Sequence, residues 1–317
     1  MPDARAPEQN FYRQSGAQLR TNRTSAATQG TGVALALGGG FARGFAHLGV
    51  LDVLEQERIP VSAIAGTSIG GLLGAAYADG FSIRELCDLG RQVRMRDFIR
   101  FHRSSHIAPG NDRIGQFVRE WFHAGRVEEL CIPTAIVTTD IDTCAAYVFT
   151  RGPLEVAIRA TCAFPGLFQP VEHEGRHLAD GCIVAPVPTV VAARMSALCV
   201  LGVSVSSTTT AASSFDGPRR QRGQAARPSR LGKGLAGVQQ DNWRQEPSWS
   251  QRADLMLEPD VQGMDWDDFA NLDQAHDAGV KAMRCALSAV RELLEQRSAL
   301  VRPSESSGLA QQSGLAS

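Results

Sequence analysis

Two glycine turns lie close together near the start of this 317-residue chain, and each follows a short apolar run and leads into a helix-like stretch. The first, Gly38-Gly39-Gly40-Phe41-Ala42-Arg43-Gly44, comes after Val33-Ala34-Leu35-Ala36-Leu37; the second, Gly66-Thr67-Ser68-Ile69-Gly70, comes after Val61-Ser62-Ala63-Ile64-Ala65. A G-x-S-x-G between strand and helix bends the chain sharply and holds the serine hydroxyl in the open, with the following amides and the helix N-terminus behind it. The first turn offers bare backbone N–H groups, which suit a developing oxyanion. Read together, the two turns predict acyl-transfer chemistry at Ser68.

Glycine turns before helices also bind nucleotides, and here the registers argue against it. A G-x-G-x-x-G starting at Gly38 meets Arg43 where glycine is required, and one starting at Gly39 meets Phe41. A phosphate loop starting at Gly39 reaches Gly44 but continues with Phe45 and Ala46 instead of lysine and a hydroxyl. Ser68 alone is equally a helix N-cap, so the acyl-transfer reading needs a base to take the hydroxyl proton. Downstream, Arg176-His177-Leu178-Ala179-Asp180-Gly181-Cys182 sets an aspartate at the end of a strand-like run, although Asp-Gly by itself is usually a turn.

Composition narrows the class. At 43% hydrophobic and a formal charge of −1, the chain can bury one large core or two small ones. Lys233 and Lys281 are the only lysines, acidic residues balance the arginines, and no basic stripe suggests nucleic acid. Seven cysteines without a C-x-x-C pair suit a reducing compartment. His102 and His106 have helical metal-pair spacing, but Arg100 and Arg103 would repel a cation, so no metal and no cofactor is expected. No run nears the roughly 20 apolar residues of a membrane span, and the first 30 residues lack a secretion signal's apolar core, which predicts a soluble, cytoplasmic protein.

The pattern along the chain alternates strands with helices, predicting an α/β fold with a mostly parallel sheet. Helices are expected over 44–57, over 70–78, along the stripe Ile114, Phe117, Val118, Trp121 and Phe122, and near the C-terminus around Met283, Leu287, Val290 and Leu294. Strands are expected at 134–138, 145–149, 197–204 and 253–257. Residues 1–30 and 298–317 read as disordered tails, 206–251 as a flexible insertion, and 31–297 as the working domain.

At this point the motifs resemble one family. The first turn, followed by His47-Leu48-Gly49-Val50-Leu51, then Gly66-Thr67-Ser68-Ile69-Gly70, then Asp180-Gly181, is similar to the patatin-like phospholipases, within them to the bacterial branch related to the neuropathy target esterase domain. The likeness extends to Thr139-Asp140, to residues 157–161, to Phe164-Pro165-Gly166 with Pro170-Val171, and to Pro186-Val187-Pro188. The resemblance implies a three-layer α/β/α fold with a nucleophile elbow. It also implies a Ser68–Asp180 dyad, an oxyanion hole at Gly39, Gly40 and Phe41 with Arg43 beside it, and metal-free hydrolysis of fatty acyl esters such as phospholipids or lysophospholipids. Two positions depart from the family: Cys182 stands where a smaller residue is usual, and Ala185 where many relatives have asparagine.

Aspartate at its ordinary pKa of about 3.9 is a weak base, so the site must raise it by burial or ease the demand by strong oxyanion stabilisation. Two alternatives stay open. An α/β-hydrolase triad in the order Ser68, Asp180, His276 is one, and a non-catalytic regulator binding an acyl ligand is the other. Met95, Phe98, Ile99 and Phe101 alternate with Arg94, Arg96, Arg100 and Arg103, which reads either as a cationic lid touching an anionic membrane surface or as an ordinary surface helix.

Overall fold

The structure, a computed structural model, describes residues 31–92, 111–195, 197–205 and 252–301. The expected N-terminal tail, the 206–251 segment, the arginine-rich stretch 94–103, the His102/His106 pair and residues 303–317 lie outside the described residues.

Eight strands form one mixed sheet: β1 (Val33–Leu37), β2 (Val61–Thr67), β3 (Thr134–Asp140), β4 (Ala145–Phe149), β5 (Val171–His173), β6 (Arg176–Asp180), β7 (Cys199–Val203) and β8 (Leu255–Leu257). β1, β2, β3, β7 and β8 run parallel, and β4, β5 and β6 join antiparallel at one side. β1 and β2 are buried at every residue, as central parallel strands must be. Alternation along β1 separates two packing layers. Val33, Leu35 and Leu37 face a large core under helices, whereas Ala34 and Ala36 join Ala63, Ala65, Ala135 and Val200 on the other face. Small residues there let the short helix α6 (Thr189–Ala192) lie close to the sheet, with Ala192 and Val187 in the second core.

The thick layer holds α1 (Ala46–Gln56), α2 (Ile69–Asp79), α3 (Ile83–Gln92), α4 (Asp112–Trp121), α5 (Leu154–Thr161) and the 30-residue α7 (Leu272–Val301). α1 crosses α7 at glycines. A Cβ on Gly49 would run into the His276 carbonyl oxygen, and one on Gly279 into that of Ala46. The helix expected from residue 44 begins with a 3-10 turn, Phe41–Phe45, and becomes regular at Ala46. At the other end α7 continues to Val301, past the expected tail boundary at 298, because nothing before Pro303 breaks a helix.

Two features of this sheet create a site. β1 has β2 on one side and β7 on the other, so the chain leaves its carboxyl end at the point where strand order reverses, the place where open α/β sheets hold their ligands. The second feature is at β3. Its residues 136–140 pair with β4 along one edge, so β2 and β6 share the other edge. β2 ends at Thr67 opposite Val137, and the oppositely running β6 ends at Asp180 opposite Thr138. The residues following one strand and ending the other therefore meet head on.

Candidate active site

Ser68 is the first residue beyond β2 and sits at φ 54°, ψ −125°, a backbone region that costs a non-glycine residue on the order of 1–3 kcal/mol. Close approach makes the bend possible. A Cβ on Gly66 would lie 2.6 Å from the Gly70 carbonyl oxygen, and one on Gly70 would meet the backbone of Leu37 and Gly38. The bend is held from below by Thr161, at the end of α5. Its hydroxyl accepts the Ser68 N–H at 2.8 Å and donates to the Val137 carbonyl at 2.6 Å. Thr161 belongs to the 157–161 stretch that resembles the family, but the sequence assigns it no role; its function as a clamp follows from α5 crossing under the elbow.

The Ser68 hydroxyl donates to Asp180 Oδ2 at 2.6 Å, and both residues are buried. Asp180 is fixed at every other polar atom as well: its N–H donates to the Ala163 carbonyl at 3.0 Å, its carbonyl accepts the Thr139 hydroxyl at 2.9 Å, and Oδ1 accepts the Cys182 N–H at 2.9 Å. Burial pushes the carboxyl group up to about 6, against the pull of the Ser68 hydroxyl and the Cys182 amide in the other direction. The shift is in the direction that strengthens an aspartate as a base.

Gly39 lies directly over the elbow, its position for a Cβ 3.2 Å from Ser68 Cβ and blocked outright by Cys182 Sγ. Cys182 therefore packs against the glycine turn instead of disturbing it, and burial beside Asp180 pushes its thiol well up, so it stays neutral. The missing asparagine at Ala185 also has a local answer: the backbone carbonyl of this fully buried residue accepts the Thr67 hydroxyl at 2.9 Å.

The amides of the first turn divide by partner. Gly38 N–H donates to Val203, Gly39 N–H to Pro186 at 3.1 Å, Ala42 N–H to Trp266, and Arg43 N–H to the Gly40 carbonyl. Among the described residues the Gly40 and Phe41 amides have no backbone acceptor, and Phe41 holds a positive φ of 50°. The Arg43 side chain turns away to donate Nε to the Met264 carbonyl at 2.8 Å. His47, fully buried on α1, bonds the Gly38 carbonyl through Nε2 at 2.7 Å; burial pushes its pKa down to about 4, so a neutral ring donates that bond. His276 sits elsewhere, on α7, with its ring nitrogens 3.5 Å from Asp52 and 3.7 Å from Asp277. Ser68 and Asp180 thus meet beneath Gly39, with Gly40 and Phe41 next along the same turn, while His276 pairs with Asp52 and Asp277 on α7.

Among the described residues no His, Cys, Asp and Glu are grouped to hold a metal ion, and no helix is long and apolar enough to cross a membrane.

Residues 35–193 match the family model described as Patatin-like phospholipase. The chain is 38% identical over 176 residues to an uncharacterized NTE family protein of Mycobacterium tuberculosis, covering 55% of this chain and 49% of that one. It is 30% identical over 214 residues to human patatin-like phospholipase domain-containing protein 6, covering 63% and 15%. It is 31% identical over 242 residues to lysophospholipase NTE1 of Mycosarcoma maydis, covering 74% and 12%. The chain spans about half the length of the mycobacterial relative and less than a fifth of the other two.

Proposed function

The chain belongs to the patatin-like phospholipase family, and on that premise we propose that it is a lipid acyl ester hydrolase working through a Ser68–Asp180 dyad. The observation that carries this reading is the 2.6 Å bond from the Ser68 hydroxyl, presented on a strained elbow, to a buried Asp180 carboxylate with a raised pKa.

In the proposed reaction Asp180 Oδ2 takes the hydroxyl proton as Ser68 Oγ attacks the ester carbonyl. The oxyanion forms against the Gly40 and Phe41 amides, while Gly39 gives the close approach and Arg43 braces the turn through Met264. Collapse expels the alcohol with the proton from Asp180. Water, deprotonated by Asp180, then releases the fatty acid and restores Ser68. Each half-reaction needs one base and one oxyanion site, and the bonds around Asp180 hold Oδ1 on the Cys182 amide and leave Oδ2 facing the Ser68 hydroxyl. The names of the fungal and human relatives support lysophospholipid or phospholipid as the substrate class. Peripheral contact with a membrane surface follows from such a substrate.

The test is labelling with a fluorophosphonate, followed by turnover of lysophosphatidylcholine and a panel of acyl esters. Wild type is expected to label and turn over, Ser68→Ala to do neither, and Asp180→Asn to lose about 100-fold to 10,000-fold in turnover. Near-wild-type turnover by either variant rejects the dyad. A wild-type protein that neither labels nor hydrolyses, yet binds fatty acid, would instead support the regulator reading. The triad reading predicts loss of activity in His276→Ala, where the dyad predicts none.

A further inference from the structure

His47 is fully buried in the first turn of α1, and the proposed reaction gives it no step. Its Nε2 lies 2.7 Å from the Gly38 carbonyl, and its Nδ1, buried as well, has no partner among the described residues. A carbonyl only accepts, so the single ring proton sits on Nε2. A buried nitrogen without a partner costs stability, and an apolar side chain at this position would leave no such atom. What the imidazole supplies here is therefore the Nε2 donor. The Gly38 carbonyl and the Gly39 N–H belong to one planar peptide unit. His47 holds that unit at its oxygen, and the Pro186 carbonyl holds it at its N–H at 3.1 Å. Gly40 and Phe41 come next, and past them the chain is anchored again by Ala42 N–H on the Trp266 carbonyl and Arg43 Nε on the Met264 carbonyl. Gly39 and Gly40 have no room for side chains, since a Cβ on Gly39 would strike Cys182 Sγ and one on Gly40 would lie 2.4 Å from Val205 Cγ2. The same glycines leave the turn soft about its dihedrals. A clamp on the peptide unit just upstream removes that freedom.

We infer that His47 is a positioning residue: by clamping the peptide unit between Gly38 and Gly39 it fixes the direction of the Gly40 and Phe41 amides that receive the oxyanion. The inference rests on the proposed Ser68 hydrolase and adds what orients its oxyanion site. His47 acts through Gly38, since one ring nitrogen is taken up by that carbonyl and the other has no partner, so it bonds neither Ser68 nor Asp180. Nor does it exchange a proton during turnover. A charged ring would bury an Nδ1–H with no acceptor, and burial holds the pKa down to about 4. Donors aimed in advance act without reorganisation, and misplacing the reacting geometry by about 1 Å costs on the order of 100-fold. The oxyanion forms only as the tetrahedral intermediate is built, so loss of the clamp falls on kcat and leaves ester binding nearly intact.

The experiment compares wild type, His47→Leu and His47→Gln in the full chain on p-nitrophenyl butanoate across pH, and in the rate of fluorophosphonate labelling. Leucine removes the donor, whereas the glutamine amide can place an N–H where Nε2 stands. The expected result for His47→Leu is a kcat lowered at least about tenfold with KM within about threefold of wild type, and labelling slowed in step, since phosphonylation builds charge against the same amides. The pH midpoint near 6, set by Asp180, should stay in place, because the base is untouched. His47→Gln should recover most of the lost kcat. If the leucine variant does not fold, His47→Asn takes its place with the same expected loss, since its amide is set like Nδ1 and stops short of the Gly38 carbonyl. A kcat loss below about tenfold in the donor-less variant, an equal loss in His47→Gln, or a loss that comes with a displaced pH midpoint overturns the clamp. A wild type that neither labels nor hydrolyses defeats the hydrolase reading and this role with it, whereas an active wild type with unimpaired His47 variants defeats this inference alone.

Discussion

With its carboxyl group buried and only Ser68 and Cys182 donating to it among the described residues, Asp180 keeps its proton up to about pH 6. In the proposed dyad the base is the deprotonated form, so kcat/KM should rise about tenfold per pH unit below 6 and level off above it, a profile read directly from ester hydrolysis between pH 4 and 9. The same shift costs stability. Relative to an unfolded value of 3.8, the native state holds this proton over about two further pH units, so the folded protein is penalised as pH rises from about 4 through 6. Asp180→Asn removes the penalty and should be more stable than wild type at pH 8 by on the order of 2–3 kcal/mol, with the gain fading by pH 4. Denaturant unfolding at the two pH values checks it, and an inactive variant that is also less stable at pH 8 would contradict the burial account. Cys182 departs from the family pattern and yet serves the site twice, since its amide holds Oδ1 and its sulfur closes the space over Gly39.

Elements meet in this protein where side chains are absent. The glycine turn lies on the elbow because Gly39 has no Cβ to strike Cys182 Sγ or press on Ser68 Cβ at 3.2 Å. Gly39→Ala should therefore lower turnover at least about 100-fold, the scale of losing an oxyanion donor, as the turn carrying the Gly40 and Phe41 amides is pushed off the elbow. Adding Cys182→Ala relieves one of the two contacts, so the double variant should recover part of the loss; full recovery would show that Ser68 Cβ does not constrain the turn. The α1–α7 crossing follows the same rule at Ala46, directly after the glycine turn. A Cβ on Gly279 meets backbone of Ala46, which cannot rotate away, so Gly279→Ala should destabilise by about 1–3 kcal/mol in denaturant unfolding. Helix α1 also carries His47, so a shift of this crossing reaches the Gly38 carbonyl and the turn beyond it.

Over the whole molecule, two buried groups set opposing pH slopes. His47 resists protonation down to about pH 4, whereas the unfolded chain takes up a proton at its histidine near 6.5, so its contribution is lost as pH falls between those values. Asp180 works the other way over most of that window, and the wild-type stability curve should be flat there. Asp180→Asn leaves the His47 slope unopposed, and its stability should drop steeply from pH 6.5 to 4; a curve parallel to wild type would remove this pairing. Both strand–turn–helix units and the α/β class were legible in the chain, because apolar runs and glycines are local and report local conformation; Ser68 and Asp180 were singled out by a turn motif and a family resemblance, and the structure joins them by a 2.6 Å hydrogen bond. The antiparallel edge was not: β4 and β6 have the composition of any short strand, and only pairing on β3 sets their direction. Nor could any spacing announce Thr161 beneath the elbow, Trp266 against Phe41, or the Gly39 amide turned to Pro186. The sequence by itself determined which groups can react and which bends the backbone can make. Tertiary structure decided which of them meet, since β2 and β6 end against each other only by sharing one edge of β3, and it decided the base strength of Asp180, since that depends on the water excluded by everything packed around it.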